Sequence, residues 1–197
     1  MCILRSSYFA VLILLLPTHS VFALDSKYLF NFSMDFGGDK LLDLTYNDGS
    51  KSDITSGDGI LLGGGAAVEL YSTESFAFDF QPSLSWKFTT IQEASNGNAT
   101  WTRFPADMLL FFRDKKNSFR IGAGLTHHMM NKLDGEGVLS QATQEFDNTL
   151  GYIIQADYML DYFMSFDLRY TAISYSSDTV SAVNANSIGV GMSFFFD

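Results

Sequence analysis

From Lys27 onward the chain alternates. Tyr28, Phe30, Phe32, Met34 and Phe36 are separated by Leu29, Asn31, Ser33 and Asp35. A period of two predicts a strand with one apolar and one polar face. Residues 76–88 repeat the pattern. Phe76, Phe78, Phe80, Leu84, Trp86 and Phe88 share one face, interrupted only by Pro82, while Ala77, Asp79, Gln81, Ser83, Ser85 and Lys87 share the other. Six more segments follow the same rule: 60–71, 102–113, 118–128, 149–160, 163–175 and 187–196. Eight strands of this length are each long enough to cross a membrane when tilted.

The connections alternate as well. Residues 72–75, 114–117 and 161–162 form short joints, and residues 37–59, 89–101, 129–148 and 176–186 form long ones. Short turns on one side and long loops on the other predict an antiparallel up-and-down transmembrane barrel, all-β, with periplasmic turns and extracellular loops. Asn47-Asp48-Gly49 and Asn96-Gly97 are tight-hairpin signals within the first two loops, so the flanking strands are expected to run past the membrane there. Aromatic residues fall at two depths. Tyr28, Tyr71, Phe76, Phe119, Tyr158, Phe163 and Phe194 lie at one set of strand ends, and Trp86, Phe88, Trp101, Tyr152, Tyr170 and Tyr175 lie at the other. Two interfacial girdles are expected from this.

The pattern from Lys27 to the end, closed by Gly191-Met192-Ser193-Phe194-Phe195-Phe196, resembles the small bacterial outer-membrane barrels of the OmpA transmembrane-domain, OmpX and OmpW kind. The resemblance implies residence in the outer membrane of a Gram-negative cell and contact with its lipids and lipopolysaccharide. It also implies assembly by the barrel-assembly machinery, which reads a C-terminal strand ending in an aromatic residue. Here Asp197 follows that aromatic.

Composition changes the picture at the N-terminus. Arg5, the apolar run Tyr8 to Leu16, Pro17 and the small-x-Ala pattern Val21-Phe22-Ala23 read as an export signal over 1–23, cleaved to leave a barrel domain over 24–197. The run is too short to span a bilayer as a helix. The single cysteine, Cys2, leaves with the signal, which excludes a disulfide-stapled scaffold. Beyond Arg5 there are 11 basic and 22 acidic residues, a net charge of −11. A general nucleic-acid binder needs the opposite sign.

Candidate chemistry lies on the inward face. Asp35, Glu69, Asp79, Asp107, Asp157 and Asp167 alternate with Lys87, Arg103, Arg120 and Arg169 in a lumen just wide enough for its own side chains. Buried charges must be paired, so these ten residues are expected to form a structural network that plugs the lumen. Strand register predicts Arg120 as the hub for Glu69, Asp79, Asp157 and Asp167. Lys87, Arg103 and Arg169 then serve Asp35 and Asp107. His127 and His128 invite comparison with lipid A deacylase barrels, but two residues after His127 stands Met129, not the serine that chemistry requires. An acyltransferase would need an apolar pocket where this interior is charged. The loops are acidic, at Asp39, Asp43, Asp48, Asp53, Asp58, Asp134, Glu136, Glu145 and Asp147, without the spacing of a calcium-binding EF-hand. No catalytic, cofactor or metal site is expected. The expected role is structural or surface-interacting, with a conduit for small or hydrophobic molecules as the alternative and a lipid-modifying enzyme third.

Overall fold

The computed structural model describes residues 25–45, 51–93 and 97–197. The expected export signal, the Asn47-Asp48-Gly49 turn and Asn96 lie outside them. Eight strands build the wall: β1 Ser26–Gly37, β2 Gly59–Ser72, β3 Phe76–Glu93, β4 Gly97–Asp114, β5 Phe119–Glu136, β6 Thr149–Asp161, β7 Met164–Ala172 and β8 Ser187–Phe196. Each pairs antiparallel with its sequence neighbours, and β8 pairs with β1, so the sheet closes without an edge.

Following the register around the wall from Phe36 gives Ile188, Tyr170, Ile154, Ala123, Leu110, Phe80, Val68 and then Ser26. The circuit returns to β1 ten residues from its start. Eight strands with that stagger must tilt strongly, at about 35–45° to the barrel axis. Every residue of this circuit faces outward, and large apolar side chains on that face are exposed, among them Phe30, Phe78, Leu110, Ile154 and Val190. The inward neighbours Ser33, Asp79, Gln81, Lys87, Gln155 and Ser193 are buried. Apolar outside and polar within is the arrangement that lipid imposes on a closed sheet.

The long-loop end departs from the expected plan. β3, β4 and β5 are 18 residues each, nearly twice the roughly 9–11 a tilted strand needs to span a bilayer. The expected loop 89–101 is therefore mostly strand. β5 runs on through a bulge at Met130, whose backbone is left-handed (φ 50°). A 3-10 turn, Gly137–Ala142, then leads to Gln144–Phe146, which pairs back onto β5. The first loop is a hairpin of Lys40–Thr45 and Lys51–Thr55.

These protruding pieces share a second core. Ile54, Ala99, Trp101, Leu133, Phe146, Ile173, Tyr175 and Ala185 pack together, drawn from all four outer connections. Trp101 and Tyr175, expected in the outer girdle, are instead fully buried here and meet edge-to-face at 5.4 Å. Trp86, Tyr152 and Tyr170 do stay exposed on the outer wall. Ala99 and Trp101 continue the inward row of β4 above Arg103, which sets this apolar cap over the mouth of the lumen.

Candidate functional site

Period-two alternation delivers every second side chain of each strand into the lumen, where glycines open space for the largest. At Gly122 an added Cβ would lie 2.6 Å from the Phe111 ring. Phe111 packs with Leu109 and Ile153 as an apolar layer inside the lumen.

At the turn side of this layer, Arg120 is the centre. Its Nε and Nη2 donate to the Asp157 carboxylate at 2.9 and 2.5 Å, and Nη2 donates to Gln81 Oε1 at 2.9 Å. The guanidinium is sandwiched between the rings of Phe111 (4.2 Å) and Phe195 (4.9 Å). Glu69 and Asp79 stand directly opposite each other on β2 and β3. The cation between them is Arg113, which donates to Glu69 at 2.6 Å and to Asp79 at 2.8 and 2.9 Å. Arg120 only approaches Asp79, at 3.9 Å.

The hub assignment therefore needs correction for Glu69 and Asp79. Arg113 shares the inward parity of Arg103 and Asp107, so the signal was present in the sequence. Its place at the strand end hid it. Asp167 also differs from expectation: it faces Asp157 across β6–β7 and accepts from Ser193 at 3.3 Å, with no ion pair among the described residues. Below, Asp25, Lys27, Glu69, Arg113 and Tyr162 line a cavity of about 170 Å³ at the turn-side mouth.

Above the layer, Lys87 meets Asp35 at 2.5 Å, and Arg169 meets Asp107 at 2.5 Å. Arg103 serves neither acid. Its guanidinium donates to the main-chain carbonyls of Ser56, at 2.6 Å, and Asp58, and lies against the Trp101 ring. Sequence reasoning missed these acceptors because they belong to a loop whose path no strand pattern specifies.

The two histidines part company. His127 is on the outer wall, and His128 is buried with Nδ1 2.6 Å from the Tyr175 hydroxyl. The cap is stitched to the first loop by Trp101 Nε1 donating to the Ser56 carbonyl (3.0 Å) and Ser56 Oγ donating to the Asn184 carbonyl (2.6 Å). Outside, a cleft of about 380 Å³ runs along Met34, Phe36, Ile60 and Phe88 towards Asp58 and Thr89.

No family model and no curated protein matches the chain. Solved structures do. The attachment invasion locus protein Ail of Yersinia pestis, in complex with the heparin analogue sucrose octasulfate, superposes with a TM-score of 0.51 at 12% identity, over 87% of this chain and 97% of that one. Neisserial surface protein A superposes with a TM-score of 0.50 at 12% identity, over 86% and 96%. At such identities the likeness is one of fold, that of the small bacterial outer-membrane barrels. With its apolar wall and polar lumen, the chain is a transmembrane barrel of that architecture.

Proposed function

We propose that this outer-membrane barrel is a closed stem that presents a folded extracellular cap for surface interaction, and that it is neither an open pore nor an enzyme. One observation carries the reading. All four outer connections contribute to a single apolar core over the lumen, and three buried ion pairs stand in the lumen beneath. A chain that spends its loops on a shared core displays a shape, whereas a pore needs an open path. Residues 1–23 serve as the export signal in this reading, β8 is the segment the assembly machinery reads, and the wall contacts outer-membrane lipid and lipopolysaccharide.

The cap carries Asp39, Asp43, Asp53, Asp134, Glu136, Glu145 and Asp147 against Lys40, Lys51 and Lys132. This charge favours cationic partners, or anionic lipopolysaccharide bridged by divalent ions, over a polyanion. The cleft along Met34, Phe36, Ile60 and Phe88 supports a second reading, entry of hydrophobic molecules from the membrane side.

Reconstitution of the mature protein, with an intact mass beginning at Leu24, tests both readings. Planar bilayers should show no sustained ohmic conductance, and vesicles no accelerated uptake of small apolar solutes. Stable conductance steps would overturn the closed stem. Apolar flux without ionic conductance would select the second reading.

A further inference from the structure

We infer that the outward face of β3, β4 and β5, where these strands leave the membrane, holds one lipopolysaccharide molecule. An acyl chain lies in the cleft beside Phe88, and the sugars lie against the threonines above it. This site deepens the lipopolysaccharide contact proposed above and rests on it. Three long strands switch polarity along their outward rows. On β3 the row runs Leu84, Trp86, Phe88 and then Thr90; on β4, followed outward, it runs Ala106, Phe104 and then Thr102 and Thr100. On β5 it passes from Leu125 through His127 and the bulge at Met130 to Lys132 and Asp134. A face that meets hydrocarbon must be apolar. The switch therefore marks the membrane surface on all three strands.

Register joins the polar positions into two short rows. Phe88 stands opposite Thr102, and Thr102 opposite Lys132. Further out, Thr90 stands opposite Thr100, and Thr100 opposite Asp134. The hydroxyls of Thr90 and Thr100 meet at 3.1 Å. Side chains so paired are about 4.5–5.5 Å apart at Cβ, so one headgroup covers both rows. The inward neighbours Ala99, Trp101 and Leu133 are locked in the cap core. The rows thus face the layer just above the bilayer, which in the outer leaflet of this membrane is sugar. Lys132 is already paired with Asp134 at 2.9 Å, and Glu145 stands opposite it on the other side. No positive charge is left over for a phosphate, whereas carboxylates and threonine hydroxyls accept from sugar hydroxyls.

Below the rows the wall parts. The ladder between β2 and β3 ends at Ile60 and Phe88. Before Ile60 the chain stays with β1, the Gly57 amide donating to the Gly37 carbonyl, while Arg103 reaches the Ser56 and Asp58 carbonyls from within. The parting leaves the cleft of about 380 Å³, with Met34, Phe36, Ile60 and Phe88 at its apolar end and Asp58 and Thr90 at its polar end. On the other side of β4 a second cleft, of about 560 Å³, sets Phe104 and Met130 beside Thr102, Lys132 and Glu145. It opens where the β5–β6 ladder stops at His128 and residues 144–146 take over the pairing. Both clefts are continuous with the lipid-facing wall, and both join an apolar part to a polar one across the switch. That is the layout of an acylated sugar.

The test uses the mature chain refolded from urea into detergent, free of lipid from the cell. Native mass spectrometry with rough lipopolysaccharide (lipid A and its core sugars) should show one saturable adduct. Phosphatidylethanolamine should be shed under the same collisional activation. Ile60→Trp fills the cleft from the lipid side, and Thr102→Glu adds a carboxylate beside Glu145 and Asp134. Each should weaken lipopolysaccharide binding roughly tenfold or more. Ile154→Trp, an exposed position on β6 across the barrel, should leave binding unchanged. Phosphatidylethanolamine held as firmly as lipopolysaccharide would reveal an ordinary lipid shell and overturn the site. So would the absence of an adduct, or one as strong in both cleft variants as in the parent. If one variant does not fold, the other and the comparison of the two lipids decide. Conductance in planar bilayers is independent of this result, so a failed site and an open stem are told apart.

Discussion

At the scale of single residues, the energetics of the lumen turn on which partner each charge keeps. Arg120 is 2% exposed and Asp157 is 0% exposed, so neither can turn to water if the other is removed. Arg120→Ala strands a buried carboxylate and is expected to destabilise the barrel by about 3–5 kcal/mol. Arg113 serves two acids, but its side chain is 29% exposed at the mouth. Glu69 is partly exposed to water there and the buried Asp79 keeps Arg120 at 3.9 Å, so Arg113→Ala should cost clearly less. Reversible unfolding in urea from lipid vesicles measures both. An Arg120 variant no weaker than the Arg113 variant would show that the buried pair contributes no more than the one at the mouth.

At the scale of the element, β3 shows how one strand serves lipid, lumen and cap. Its outward row meets lipid, its inward row carries Asp79, Gln81 and Lys87, and its last turns leave the membrane beside β4. Phe80 is on the lipid circuit, between Val68 and Leu110. Phe80→Arg is expected to cost about 2–4 kcal/mol, as for a cation near the bilayer midplane. A cost below about 0.5 kcal/mol in the same unfolding assay, the range of ordinary surface changes, would mean that this face does not meet lipid. The neighbouring position is not a mild control, because Gln81 is buried and accepts from Arg120. An arginine there would face the Arg120 guanidinium.

At the scale of the whole molecule, two cores are stacked along one wall, a charged lumen and an apolar cap. Tyr175 joins them through His128 and Trp101. Burial holds its phenol neutral, with the ionisation pushed up to about 12, whereas an unfolded tyrosine ionises near 10. The raised value means that the unfolded state releases its proton first as pH rises. Stability is thus complete below about pH 10 and falls progressively between about 10 and 12. The cap should loosen in that window, read as protease cleavage in the outer connections together with late tyrosinate absorbance. Tyr175→Phe should remove this limb. A parent whose cap is equally protected at both ends of the window would contradict the role given to Tyr175.

Much of this molecule was legible in one dimension. A strand has a period of two, and a membrane wall demands opposite polarity on its two faces. Tyr28 to Phe36 and Phe76 to Phe88 therefore announced strands, faces and lumen residues without any knowledge of partners. Closure into eight antiparallel strands followed from the alternation of short and long connections. The pairings Lys87–Asp35, Arg169–Asp107 and Arg120–Asp157 were within reach of the same register argument, because they join inward positions at matching depth. The choice of Arg113 over Arg120 for Glu69 and Asp79 was not, since it depends on which of two long side chains bends towards a pair of acids at the mouth. Nor could the alternation show that Trp101 and Tyr175 turn away from lipid into a cap, or that Arg103 is held by the carbonyls of Ser56 and Asp58. Those outcomes rest on contacts between loops far apart in sequence. Periodicity records which face a residue occupies, and only the folded chain decides what that face meets.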